Sequence, residues 1–247
     1  MSSLHFKLNT HNETVEYYPF PTAMFEQLAQ SGITLSSSSC LELECGRGII
    51  TKAFQGRLAH ITSIHHSAKD ITFAKQRNPE AHIIKGNAEY LPFEKESFDI
   101  ALTCNQWKYF HRNKVLSEVD RVLKPGGHLL LCQTYSPAVD SPIISTTNHL
   151  LKQFDMASQA YENKSNNYHW KTEWRKSGFQ LKDQWTLSYL FQCNLTDWID
   201  YVLHSINDFP ESFTIDLEQK LHAHLHPLMA QKRMEIPLTT KAYVLQK

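Results

Sequence analysis

The residues whose types and spacing point most directly to chemistry are Leu41-Glu42-Leu43-Glu44-Cys45-Gly46-Arg47-Gly48-Ile49-Ile50-Thr51. An apolar strand signal runs into two glycines separated by one residue, and a helical pattern follows. Glycine permits a tight turn and lets a ligand come up against the backbone. The first turn of the following helix presents N–H groups that have no partner within the helix. Glu42 and Glu44 place two carboxylates on the same turn. The expected occupant of Glu42–Gly48 is a nucleoside-bearing ligand.

A second group, Asn105, Gln106, Trp107, Tyr109, Phe110 and His111, follows another strand signal. The amides of Asn105 and Gln106 suit a substrate polar group, and the Trp107 face suits a cation or a substrate ring. His111 is placed to act as a base toward a hydroxyl or amine. Trp107 and Phe110 fit the start of a buried helix equally well. His222, His224 and His226 alternate, so all three would share a face on a strand, whereas a helix aligns His222 with His226. Leu217, Leu221, Leu225 and Leu228 predict a helix. No carboxylate or cysteine completes a ligand set there, so no metal is expected. His65-His66 is read as a pocket or surface pair rather than as metal ligands.

The elements that must position these residues alternate along the chain. Strand signals fall at Cys40–Leu43, Ile61–Ile64, His82–Lys85, Phe98–Thr103 and His128–Gln133. Helical patterns fall after Pro21, at Gly48–Phe54, from the N-cap Ser67 to Arg77, and at Val115–Leu123. Lys124-Pro125-Gly126-Gly127 is a helix stop. Such alternation predicts right-handed βαβ units and a largely parallel sheet, with the ligand beyond the strands' carboxyl ends. Further on, 137–167 reads as polar and partly helical, Trp174–Gly178 as a helix end, and Phe179–Cys193 as β-rich. Leu195–Ile206 and Leu217–Met229 read as helices, and Ile236–Leu245 as a closing strand.

Over residues 38–134 the order of these pieces resembles the class I S-adenosylmethionine-dependent methyltransferases, of the type acting on small molecules. The glycine turn is similar to that family's first motif, acidic-x-Gly-x-Gly-x-Gly. Ile61-Thr-Ser-Ile-His-His-Ser67 resembles the second-strand motif that presents a ribose-binding acid. Gly86-Asn87-Ala88-Glu89-Tyr90-Leu91-Pro92-Phe93 resembles the turn that lines the adenine. Ser97–Ala101 resembles the fourth strand, and Arg121–Gly127 is similar to the signature before the fifth. The resemblance implies a doubly wound, seven-stranded, mostly parallel α/β sheet with helices on both faces and a late helical insertion. It implies S-adenosylmethionine as cofactor and S-adenosylhomocysteine as product. Glu42, Glu44, Cys45, Gly46, Gly48, His65, His66, Asn87, Ala88, Glu89 and Asn105 are the implied cofactor-binding positions. His111, Asn105 and Gln106 are the catalytic candidates.

Three positions depart from the pattern. Glu44 replaces the first glycine, His65 the ribose-binding acid, and Asn87 the adenine-facing acid. An imidazole can bond a ribose hydroxyl, and an amide carbonyl can accept the adenine amino proton. A carboxylate at Glu44 would repel the carboxylate of the ligand. Two readings therefore stand: methyl transfer to a small organic acceptor, or the same fold with a repurposed or vacant pocket.

Tyr17-Tyr18-Pro19-Phe20-Pro21 resembles the Tyr-rich N-terminal segment of the trans-aconitate methyltransferase-like branch, which folds over the pocket. Leu195–Tyr201 resembles that branch's late helix. Tyr17, Tyr18, Trp107 and Phe110 are thus the substrate-side candidates. The 247 residues are expected to form one domain: a lid and helix over 1–35, a cofactor-binding core over 36–135, and substrate-side elements over 136–247 with an insertion at about 191–232.

Equal counts of 25 basic and 25 acidic residues leave no net field to favour nucleic acid. Cys104-Asn105-Gln106-Trp107 also lacks the Asn/Asp-Pro-Pro-aromatic motif of nucleic-acid methylation. No run is long enough for a membrane span or signal peptide, and five scattered cysteines without CxxC pairs suit reduced thiols. A cytoplasmic protein with a small-molecule substrate is expected, and oligomeric state is left open.

Overall fold

The computed structural model describes residues 20–136, 141–153, 173–206, 211–228 and 234–247. Seven strands form one sheet: β1 Ser39–Leu43, β2 His60–His65, β3 His82–Lys85, β4 Phe98–Cys104, β5 Leu123–Tyr135, β6 Gln180–Cys193 and β7 Met234–Gln246. Their order is β3-β2-β1-β4-β5-β7-β6. The first five run parallel, and β7 pairs antiparallel with both β5 and β6. The chain moves outward from β1 to β3, then returns to place β4 on the other side of β1. This reversal opens a crevice between the carboxyl ends of β1 and β4.

Both faces of the sheet are covered, as a parallel sheet requires. Leu41, Leu43, Ala101, Leu129, Leu131 and Tyr243 face one core, which buries Val115, Leu116, Val119 and Val122 of helix α4 (Arg112–Val122). Their neighbours Cys40, Ile100, Leu102, Leu130 and Val244 face the other core. There they meet Met24 and Leu28 of α1 (Thr22–Gln30) and Ala53 and Phe54 of α2 (Ile49–Phe54). The alternation is the period-two signature of a pleated strand buried on both sides. Helix α3 (Ala68–Arg77) begins at Ser67, whose side chain accepts the Asp70 N–H as an N-cap.

A third core lies beyond the sheet's carboxyl edge. It joins α5 (Pro142–Gln153), α6 (Leu195–Ser205) and α7 (Glu211–Leu225) to the ends of β6 and β7. Trp198, Ile199 and Val202 pack there with Leu217, Leu221 and Leu225, and Ile49 of α2 joins them. Asn194 and Asp197 form a reciprocal capping box at the start of α6.

Several boundaries differ from those expected. The fifth strand begins at Leu123, not His128, because Leu123 already pairs with Phe98, and after a register shift between Phe98 and Ile100 pairing resumes at Ile100–His128. The helix before it starts at Arg112 and ends at Val122. The last helix starts at Glu211 and gives way to a 3-10 turn at His226–Leu228. Tyr17, Tyr18 and most of the 137–167 stretch lie outside the described residues.

Candidate functional site

The glycine turn sits at the β1 end of the crevice. Glu44, Gly46 and Gly48 all have left-handed backbone, with φ of 56°, 53° and 76°. Cys45 N–H donates to Ile64 O at 3.0 Å and Gly48 N–H to Cys45 O at 3.0 Å, which close the turn against β2. Gly48 admits no side chain, because a Cβ there would stand 2.4 Å from Asn78 Nδ2, and that amide donates to Gly48 O at 2.9 Å. Glu42 does not project into the crevice as a free carboxylate. Its Oε2 accepts from Thr51 Oγ1 at 2.5 Å and from Ser63 Oγ at 2.8 Å, while burial raises its pKa.

The two departures Glu44 and His65 meet in space. His65 Nδ1 lies 2.5 Å from Glu44 Oε2, close but poorly aligned for a hydrogen bond. His66 Nδ1 lies 2.8 Å from the same oxygen, and His65 Nε2 lies 3.3 Å from Asp70 Oδ2. Burial pulls the His65 pKa down, but Asp70 and Glu44 more than offset it, and it rises to about 9. Burial pushes Glu44 up, yet the two imidazoles hold it at about 2. Glu44 is therefore a compensated charge. It is not the bare carboxylate that the sequence alone suggests.

Arg47, between the two glycines, lies with its Nε 3.5 Å from Asp70 Oδ1 and reaches on to the helices beyond. Its guanidinium donates to Asp200 Oδ1 of α6 at 2.7 Å and makes two bonds to Glu218 of α7 at 3.0 Å each. Arg77 at the end of α3 also pairs with Asp200, and donates to Arg47 O at 3.1 Å. Burial lowers the Arg47 pKa, but Glu218 and Asp200 reverse this and raise it. Through Arg47 the glycine turn is fastened to both α6 and α7. Gln106 adds a further tie, its Nε2 donating to His204 O at 2.6 Å.

That latch sets His204 directly over the turn. A Cβ on Gly46 would stand 2.3 Å from His204 Nδ1. The space that glycine leaves for a ligand is filled by an imidazole. Neither His204 ring nitrogen makes a hydrogen bond of ordinary geometry among the described residues. Burial, followed by the charge on His65, brings its pKa down to about 4, so the ring is neutral.

Around this centre the other expected residues divide. Cys45 and Ala88 are buried, and Asn105 sits at the β4 end with φ 63°, its Oδ1 accepting Thr134 N–H at 2.7 Å. Asn87 is exposed, and its Oδ1 accepts Glu89 N–H at 2.8 Å, which leaves one lone pair for a ligand. Trp107 belongs to the core under α4, edge-on to the partly buried Phe110 with centroids 6.0 Å apart. His111 points out of the crevice. Its side chain is 77% exposed, on an open groove of about 400 Å³ that Phe110, Arg112, Asn113, Lys114 and Glu173 also line. His222, His224 and His226 are exposed, and His224 Nδ1 lies 2.8 Å from Lys220 O. Sequence reasoning passed over Arg47, Asp200, His204 and Glu218. The only available signal was a lone arginine inside a glycine turn.

Fold and crevice together define a Rossmann-like α/β protein with a ligand turn at its switch point. Residues 41–131 match the family model for a methyltransferase domain. The phthiotriol/phenolphthiotriol dimycocerosates methyltransferase of Mycobacterium leprae is 36% identical over 104 residues, which cover 39% of this chain and 38% of that protein. The chain thus spans well under half the length of the curated relatives it matches. Among solved structures, a geranyl diphosphate methyltransferase in complex with GPP and sinefungin has a TM-score of 0.54 at 14% identity. That likeness covers 91% of this chain and 78% of that one. The cyclase SpnF has a TM-score of 0.53 at 14% identity, covering 91% and 80%. Residues 41–131 are thus similar to a methyltransferase domain, set in a fold shared with solved methyltransferase structures. No helix among the described residues is long and apolar enough to cross a membrane.

The fit of S-adenosylmethionine follows from this geometry. On the nucleoside side Asn87 is exposed with one Oδ1 lone pair available, and the His66 side chain is half exposed. On the amino-acid side the backbone cradle is the right kind, but His204 fills it. The cradle suits the cofactor only when α6 has moved off Gly46.

Proposed function

We propose that this protein transfers a methyl group from S-adenosylmethionine to a small organic acceptor, and that α6 and α7 form a lid that must shift for the cofactor to enter. One observation carries the reading: the segment matching a methyltransferase domain places a left-handed glycine turn at the β1/β4 switch point. The Gly46 backbone, His66, Asn87 and Ala88 would hold the cofactor. When bound, it supplies a sulfonium-activated methyl group, so the protein needs mainly to orient and desolvate the acceptor. Asn105 and Gln106, at the β4 end of the crevice, would take that task once the Gln106 amide is released from His204 O. His111, on its outer groove, serves as a base only for an acceptor that reaches it there. A small-molecule acceptor agrees with the neutral overall charge.

The filled cradle favours one rival, a methyltransferase fold whose pocket has been put to another use. Calorimetry with S-adenosylmethionine and S-adenosylhomocysteine separates the two. Methyl transfer predicts binding in the micromolar range, tighter in His204→Ala, where the ring no longer competes. No heat at millimolar ligand with either protein would sink the reading.

A further inference from the structure

Glu44, His65 and His66 each offer one ligand atom, and the three atoms lie within 4.8 Å of one another. From this geometry we infer a binding site for a single divalent transition ion of the zinc class, held by Glu44 Oε2, His65 Nδ1 and His66 Nδ1. Two imidazoles and a carboxylate match the donor set of three-ligand zinc sites, and imidazole nitrogen selects against magnesium and calcium. Bonds of about 2.0–2.2 Å at tetrahedral angles separate ligand atoms by roughly 3.4 Å. The contacts at 2.5 and 2.8 Å need to open by less than about 1 Å to admit the ion.

Three further features suit a metal. His65 Nδ1 is buried without a well-formed hydrogen bond and is aimed at the Glu44 oxygen. Asp70 Oδ2 stands at the opposite ring nitrogen at 3.3 Å. A carboxylate there holds the proton on Nε2, so the incoming ion displaces the Nδ1 proton to solvent and binds that nitrogen's lone pair. The side chain of His66 is 46% exposed, while those of His65 and Glu44 are only 2% and 6% exposed. One ligand thus opens an entry path and leaves a coordination position for water or substrate. The bound ion with one carboxylate and two neutral imidazoles carries a net single positive charge, which makes the turn attractive to an anionic group. The inference is independent of methyl transfer and needs no methyl donor in its test.

The test is titration of the chelator-treated full chain with cobalt(II), read by its visible ligand-field bands. Stoichiometric binding with the intense bands of a four- or five-coordinate site is expected, with displacement by zinc(II) and no response to magnesium. His66→Ala, at a half-exposed position, should abolish the bands. Asp70→Asn should weaken affinity by about 10- to 100-fold. Absence of the bands in the unmodified protein overturns the site. So do bands that survive His66→Ala, or bands that vanish instead in His222→Ala/His226→Ala, which would locate the metal on α7.

Discussion

Glu44 carries a backbone cost and an electrostatic gain that can be weighed. A non-glycine residue at φ 56° is strained by about 1 kcal/mol, which glycine would relieve. Removing the carboxylate, however, leaves His65 buried and charged beside Asp70 alone, and breaking a buried pair costs about 3–5 kcal/mol. The pair wins. Glu44→Gly should therefore lower stability by about 2 kcal/mol in urea unfolding near neutral pH, whereas a stabilised variant would show that strain dominates. His204 gives a pH dependence of definite sign. Its folded pKa of about 4 lies below the ordinary 6.5, so the unfolded or unlatched state binds the proton first. The groups facing it are His65, which opposes protonation, and Asp70, Glu44 and the Cys104 backbone, which favour it. Its contribution is fully present above about pH 6.5 and is lost as pH falls toward 4, by up to about 3 kcal/mol. Subtracting the stability profile of His204→Leu from that of the unmodified protein should isolate this loss. Equal slopes for both proteins would refute it.

At the scale of elements, α6 is the piece whose position decides access. Its apolar face packs into the third core, but its register over the turn comes from Asp200, shared by Arg47 and Arg77. Asp200→Ala removes the carboxylate that Arg47 and Arg77 share on α6, while Arg47 keeps Glu218 of α7, and should loosen α6 by about 3 kcal/mol. In hydrogen exchange the amides of Leu195–Ser205 should then lose roughly 100-fold protection while β1 and β4 keep theirs. Unchanged exchange in α6 would mean that apolar packing alone holds the helix. The strands and helices up to β5 were legible because each repeats its apolar residues at its own period, as Val115, Leu116, Val119 and Val122 do. The start of β5 was not, because Lys124-Pro125-Gly126-Gly127 reads locally as a turn while Leu123 gains its strand partner only from Phe98.

At the scale of the molecule, a sheet domain and a helical cover with its own core meet at the ligand turn, joined by Ile49, Arg47 and Gln106. Ligand binding must then work against lid closure, and apparent affinity falls by the fraction of molecules that are open. Adding S-adenosylhomocysteine should speed hydrogen exchange in α6 and α7 while slowing it in Glu42–Gly48. Slowing in both would mean that the ligand enters beneath a closed lid. The βαβ alternation and the place of the ligand turn were readable from local patterns, because hydrophobic periodicity and glycine spacing are encoded by near neighbours, while the doubly wound, seven-stranded order was implied by the family resemblance. That Glu44 neutralises His65, that Arg47 faces Asp200 and Glu218, and that His204 fills the Gly46 cradle were decided only by tertiary structure. Those contacts join residues 21 to 171 positions apart, and no local pattern records which distant charge will arrive opposite.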